Sequence, residues 1–527
     1  MSSGAGVHGL SRAASAAHRL SGAAATVGDL ARRHRPFTAV LVVAALLRAA
    51  VFFAYRPALI FPDSGRYLEY AFRFARGWII PDTMRASGYS FLLLPMGWWH
   101  YLGLAPLFQH AFGLASGVLV YALLVRRGSR RSVATLAALP VLFDPLELNL
   151  EQYILPDTIA AFCILAAFAV LVWRGRELSR RAAAGAGGLL LLATVMRLPD
   201  LVLVAPVLVY LAATVRPWRL MAARAGVLVA VVAIPLVAYM GWFAGTRGQW
   251  TLTTYSGRFL YGRVARFADC QGLSLPSYER SLCPRRPLGH RASEDFYMWY
   301  PQSPQWTYRP PPGMVAEKVI LDFSLRVVAH QPVAYARVVA DNLGYGFWPW
   351  RGSGPDNYPQ WYHRFQPYYP DFHHTAAYNL RTYGHTTGKV QPQLARVLTS
   401  YGLWYVPGPL LGLGLVIGLA AAAGLGRASR SDKRTASLLF ALGTIAVLVP
   451  PAALSVFDWR YEIPQLYLVP VAAVLGLGAI RGQAPAPLGY LARWPADGTR
   501  ATQRTVWPKG GVILRSRALV RGRTTRS

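Results

Sequence analysis

Ten apolar stretches, separated by loops in which arginine is concentrated, leave this chain few folds to choose among. Backbone in a lipid core must satisfy its own hydrogen bonds, so an apolar run of about 18 residues reads as a membrane helix. Clear runs fall at residues 37–55, 104–125, 158–173, 227–244, 406–425, 436–456 and 463–480, with shorter or interrupted ones at 133–143, 182–195 and 198–215. The expected fold is an all-α polytopic membrane protein of about ten transmembrane helices. A large mixed, irregular extracytoplasmic region is inserted before the last three.

Charge placement sets the orientation. Lys+Arg number 55 against 23 Asp+Glu, a formal net charge of +32 that a nucleic-acid binder would also show. Position decides between the two. Segments 1–36, 126–131, 174–181, 216–224, 427–434 and 481–527 hold most of that charge and alternate with loops that lack it. The positive-inside rule makes these segments cytoplasmic, which places both termini inside and leaves nucleic acid without a role. Lysine occurs only at Lys318, Lys389, Lys433 and Lys509, a skew towards arginine that suits a high-GC genome.

The chain therefore divides into five parts. Residues 1–36 and 482–527 read as basic, unstructured cytoplasmic tails, and the run at 37–55 as a retained anchor. Residues 37–244 form a transmembrane core whose first external loop is 56–88, residues 245–403 the extracytoplasmic region, and 404–481 the last helices. Within the external region a strand is expected at 249–255 and a helical pattern at 314–345, interrupted by Pro332. Aromatic stretches at 347–350 and 361–372 suit the membrane interface. Three cysteines are too few for a disulfide scaffold or a cysteine-rich zinc module. Cys270 and Cys283 fall outside the membrane, where a disulfide persists, and closing so short a loop contributes about 3 kcal/mol. Two unpaired thiols are the other reading; Cys163 sits within a span as a small core residue.

Several side chains carry more chemistry than packing needs. Asp63 follows the first span, and Asp157 opens the fourth from the same side. Each fits either a helix N-cap or an acid/base group facing an outer cavity. Glu151 fits the second role as an alternative to Asp157. Arg48, Arg85, Arg197 and Arg460 lie at or near membrane depth, where a guanidinium needs a cavity, a partner or a snorkelling route to water. Together they suit a lipid-linked phosphate, which arginine binds in bidentate fashion. The sequence has no Walker loop, no GxGxxG after a strand, no HExxH and no DxD, and His373-His374 reads as a surface pair. An ATPase, a Rossmann-type nucleotide-sugar enzyme and a membrane zinc protease are disfavoured, and no metal site is expected.

The order and sidedness of these residues resemble the GT-C glycosyltransferases. The likeness is to the branch that uses polyprenyl-phosphate sugars, which includes protein O-mannosyltransferases and aminoarabinose transferase-like proteins of bacteria. That branch's first external loop is matched by Asp63, Tyr67, Ala71, Gly77, Arg85, Gly88 and Tyr89. Its Arg-Tyr-x-x-Pro before a late span is matched by Arg460, Tyr461 and Pro464, and its external His-Pro…Tyr helix by residues 329–335 with one extra residue. The departures are Ser64, where many relatives carry a second acid, and Ser87 and Ser90, where prolines are expected. The resemblance implies transfer of a sugar from a polyprenyl monophosphate to an acceptor hydroxyl of a protein, polysaccharide or glycolipid. Asp63 would be the base; Arg85, Arg197 and Arg460 would hold the phosphate, with Tyr89 and Tyr461 beside them. The absence of DxD fits a monophosphate donor and no obligatory metal cofactor. A flippase or transporter of lipid-linked sugars, which would show two repeated halves, and a non-catalytic membrane scaffold are the rival readings.

Overall fold

Every one of the ten apolar runs is helical in the computed structural model, which describes residues 28–29, 31–173, 175, 178–354 and 357–483, without the His373 side chain. Most of residues 1–36, Arg174, Arg176 and Glu177 of one basic loop, the tail from 484 and the His373-His374 reading lie wholly or partly outside these residues. Among the described residues five helices are long and apolar enough to cross a membrane: Arg35–Ala54, Leu104–Arg126, Trp218–Arg247, Lys433–Leu454 and Trp459–Ile480. A sixth span arises if Arg131–Phe143 and Pro145–Gln152, bent by 46° at Asp144, count as one. The bend has a local cause. Pro145 cannot continue the preceding helix, and Asp144 starts the next by accepting the Leu146 N–H at 2.9 Å.

The other runs make helices of 16 or 17 residues: Asp157–Val172, Arg180–Met196 and Gly408–Ala423. At a rise of 1.5 Å each is roughly 24–26 Å long, short of a hydrocarbon core of roughly 30 Å. The run at 198–215 begins as a 3₁₀ turn, Leu198–Leu203, before becoming the α-helix Val204–Thr214. The chain is a helical multi-pass membrane protein in which five or six helices meet the length for a span, against the ten read from apolarity alone.

Small residues bring the last helices together: Gly418 lies against Ala441 and Ala472, and Ser437 Oγ donates to Ala472 O at 2.9 Å. The region 245–403 is not uniform. Residues 260–327 contribute most of a second apolar cluster around Tyr261, Ile320 and Phe323. Phe365, Phe372, Leu380 and Leu398 instead join the main core, and strand Tyr55–Arg56 pairs antiparallel with Lys389–Val390. The helical pattern at 314–345 resolves into Ala316–His330 and Pro332–Tyr345, broken at Gln331 as the proline requires.

No strand forms at 249–255. The threonines there bond to local backbone, Thr251 Oγ1 to Thr253 O and Thr253 Oγ1 to Thr83 O, so the segment folds as turns against the first loop. Nor do residues 361–372 form a freely exposed aromatic stretch. Trp361 is exposed, but Tyr362 and Phe372 are buried against Phe61. Cys270 and Cys283 are joined by a disulfide with a Cα–Cα distance of 6.3 Å. Cys270→Ser is expected to change mobility on a non-reducing gel, and an unchanged band would count against the bond.

Two candidate site residues, Arg48 and Glu151, turn out to be partners deep among the helices. Arg48 Nη2 donates to Glu151 Oε1 at 2.6 Å, and its Nη1 to Leu142 O at 2.8 Å. His110 Nδ1 lies 2.6 Å from Glu151 Oε2. Gly113 is required here, because a Cβ would collide with the Glu151 carboxylate. Arg48 neither snorkels nor reaches a cavity; at 2% exposure it ties the first helix to the bent pair. Glu151→Ala is expected to destabilise by about 3–5 kcal/mol because it strands a buried guanidinium. Thermal unfolding in detergent should show a lowered midpoint, partly restored in the Arg48→Met/Glu151→Leu double variant.

Candidate functional site

Asp63 stands where the first span has ended and the helix Ser64–Ala75 begins, yet its side chain caps nothing. Ser64 does the local work: its Oγ accepts the Phe61 N–H and donates to Ile154 O, both at 2.9 Å. The Asp63 carboxylate is left to turn towards two arginines. Arg85 Nη2 donates to Oδ1 at 2.6 Å, and Arg460 Nη1 to Oδ2 at 2.9 Å. Burial alone would raise the carboxyl, but the two guanidinium charges outweigh it and hold Asp63 below its ordinary value.

Arg85 and Arg460 come from opposite ends of the chain, and each is fixed by its own surroundings. The loop carrying Arg85 is clamped by Arg66, whose Nε and Nη2 both donate to Asp82 at 2.5–2.8 Å. Its exit is fixed by Gly88, where a Cβ would lie 2.5 Å from Val195 O, so only glycine lets the loop approach the end of Arg180–Met196. Arg460 sits on the turn before Ile463–Ile480, with its Nε 2.9 Å from Asp458 Oδ2 and its guanidinium over the rings of Phe61 and Tyr461. Asp458 is buried, which opposes ionisation, but His363 and Arg460 draw its carboxyl down to about 2. His363 Nε2 lies 2.5 Å from Asp458 Oδ1, and its ring stacks on Phe61. A chain of contacts thus runs from His363 through Asp458 and Arg460 to Asp63.

Asp157 opens Asp157–Val172 and likewise makes no cap bond. Its Oδ1 is 3.4 Å from Arg197 Nη1, and Arg197 in turn lies over the Tyr461 ring. The arginine ends Arg180–Met196 in an extended conformation, and it also feels Asp200. Asp63, Arg85, Asp157, Arg197, Arg460 and Tyr461 all line one cavity of about 750 Å³. Its floor is polar and cationic, and Met196, Leu198, Pro450, Pro451 and Leu454 add an apolar side. Among the described residues Arg85 Nε has no hydrogen-bond acceptor, and Arg197 Nη1 meets Asp157 only at ion-pair distance without a hydrogen bond, so neither cation is saturated by the protein. Among the described residues no group of three or more His, Cys, Asp or Glu side chains is placed to hold a metal ion.

The remaining candidates lie elsewhere. Arg48 and Glu151 form the buried pair described above. Tyr89 is also buried outside the cavity, donating its hydroxyl to Gln109 Oε1 at 2.6 Å while its ring meets Tyr67 edge-on. Sequence reasoning missed Asp458, His363, Asp295 and Tyr358. Asp458 was open to notice as an acid two residues before Arg460; the other three carry no local signal and become visible only when the 245–403 region folds over the cavity.

Residues 101–253 match the family model described as dolichyl-phosphate-mannose-protein mannosyltransferase. No curated protein matches the chain. One solved structure, the S. cerevisiae protein O-mannosyltransferase Pmt1-Pmt2 complex bound to the sugar donor, is 15% identical over 50% of this chain and 38% of that one. Its TM-score of 0.34 is too low to carry an argument about fold or site, and this chain spans well under half of its length. The family match includes Asp157 and Arg197 of the cavity, and over residues 101–253 the chain is similar to that mannosyltransferase family.

Proposed function

We propose that the chain transfers a sugar from a polyprenyl monophosphate carrier to an acceptor hydroxyl at the extracytoplasmic face, with inversion at the anomeric carbon. One observation carries this reading: a single cavity combines a carboxylate held ionised with three arginines and an apolar side. The positive-inside pattern supports the sidedness, because the basic loops flank the opposite ends of the helices from Asp63, Asp157, Arg197 and Arg460.

In this mechanism Asp63 takes the proton of the acceptor hydroxyl as its oxygen attacks the anomeric carbon. The bond from that carbon to the phosphate oxygen breaks, and its electron pair leaves with the polyprenyl phosphate. Charge grows on the phosphate as the bond lengthens, and prepositioned guanidinium groups stabilise it without reorganising. Arg197 and the unused donors of Arg85 and Arg460 fill that role, with Tyr461 beside them. Three cations supply the neutralisation that a divalent ion gives to diphosphate leaving groups, so the reading needs no metal. The double clamp keeps Asp63 in the basic form but weakens it as a base, so proton transfer is expected to run late, with leaving-group departure. Met196, Leu198 and the Pro450-Pro451 end of the helix Lys433–Leu454 would guide the first isoprene units.

Asp63→Asn is expected to lower transfer by at least about 10²-fold, the smaller end of general-base contributions, while expression and thermal midpoint stay near wild type. The assay would use polyprenyl-phosphate sugars with envelope acceptor in lipid. Equal rates for both proteins would move the base to Asp157, since Glu151 does not reach the cavity. The pH profile supplies a second test. Asp63 serves as a base only when ionised, and its clamp places the acid limb below the ordinary aspartate value of about 3.9. Arg85→Gln removes a charge that favours the carboxylate, so the limb should move to higher pH; a stationary limb would exclude Asp63 as the titrating base.

A further inference from the structure

The reading above leaves the acceptor open, and the wall that the 245–403 region adds to the same cavity bears on it. We infer that this wall is a saccharide subsite: Asp295 and the Tyr358 hydroxyl would hold ring hydroxyls while Phe259 and Trp299 pack against the sugar's C–H face. The inference rests on the transferase reading for its place in a reaction, and on the wall's own chemistry for the ligand.

The wall is aromatic but not apolar throughout. Phe259 and Trp299 meet edge-to-face at 5.8 Å, and Tyr300, next along the chain, is 44% exposed at the cavity. Among them sits a carboxylate, Asp295, hydrogen-bonded with Tyr358. Tyr358 lines the same cavity as Asp63, Arg85 and Arg460. Trp299 Nε1 is buried with no hydrogen-bond partner, leaving a donor unsatisfied beside the cavity. Flat apolar faces interleaved with hydroxyl, indole N–H and carboxylate groups match a sugar ring, which presents C–H faces bordered by hydroxyls.

The wall is also held from behind. Glu294, adjacent to Asp295, is paired with Arg263 at 2.6 Å, and Arg263 Nη2 donates to Asn342 Oδ1 at 3.0 Å. Tyr297 O accepts from Ser303 Oγ at 2.8 Å and from Gln305 Nε2 at 2.5 Å. The short helix Glu294–Trp299 is therefore fixed on its far side while Asp295 and Trp299 face the cavity. Strand addition is one way to hold a peptide acceptor, and among the described residues the one sheet, the two-residue pairing of Tyr55–Arg56 with Lys389–Val390, does not line the cavity and offers no edge there.

Saturation-transfer NMR on the full chain in nanodiscs tests the ligand without needing turnover. The probes are di- to tetrasaccharides of mannose, glucose, galactose and arabinose, set against serine- and threonine-containing octapeptides. Saccharide signals are expected for wild type and should weaken roughly tenfold in apparent affinity for Trp299→Ala and Asp295→Asn, the size of one lost specific contact. Trp299→Phe, which keeps a ring, should recover most of the loss and guards against a folding defect. Signals from peptides alone, no saccharide signal, or signals undiminished in both variants would overturn the subsite. Donor turnover is read separately in the same preparation. Turnover absent with saccharide signals intact would sink the transferase reading alone, and the reverse pattern would sink the subsite alone.

Discussion

A carboxylate taken out of water must find a cation or a donor, and this requirement organises the molecule. The stretch from Asp144 to Asp157 supplies four acids and no basic residue. Each is answered from far away in sequence. Asp144 meets Arg351, Glu147 accepts the Tyr467 hydroxyl at 2.5 Å, Glu151 meets Arg48, and Asp157 meets Arg197. Arg351 also pairs with Glu462 at 2.9 Å, two residues beyond Arg460. One acidic segment thereby locks together the first helix, the end of Arg180–Met196, the last helix and the folded insert. None of the partners can be moved without stranding a charge.

The same rule separates structural from chemical charge. Arg48 and Glu151 are almost wholly enclosed, with the Glu151 carboxylate and both terminal nitrogens of Arg48 committed to each other, to His110 and to backbone carbonyls. They hold helices. The Asp63, Arg85, Arg197 and Arg460 group differs because it borders a cavity. Composition cannot make that distinction, since all of these residues are arginines and acids at the ends of apolar runs. Only the third dimension shows which pairs are sealed and which open onto space.

That difference accounts for what could be read in advance. The helices were legible because lipid-compatible apolarity is a long-range, redundant signal, and Asp63, Asp157, Arg197 and Arg460 were legible because each abuts such a run. The length of the spans was less so: Pro145, Pro199 and the extended Arg197 shorten helices that apolarity alone extends. The strand expected at 249–255 failed because threonine favours strands only when a partner strand is available, and here its hydroxyls bond to nearby backbone. The insert gave no periodic pattern until Met314, so the aromatic wall and Asp295 were invisible, as was the contact between His363 and Asp458.

The arginine clamp on Asp63 sets two demands against each other. Ionisation makes Asp63 available to accept a proton, but each guanidinium that favours ionisation also lowers the carboxylate's affinity for that proton. A site of this kind gains if the arginines shift part of their attraction to another anion during the reaction. In the proposed reaction a departing phosphate would do that: as it takes charge it would compete for Arg85 and Arg460, and Asp63 would become a stronger base at the moment the acceptor oxygen gives up its proton. Arg460 is shared between Asp63 and Asp458, whereas Asp63 is the one ion-pair partner of Arg85 among the described residues, so Arg85 is the arginine whose attraction a second anion would divert most directly from Asp63. In that reaction the coupling of leaving group to base would follow from shared arginines.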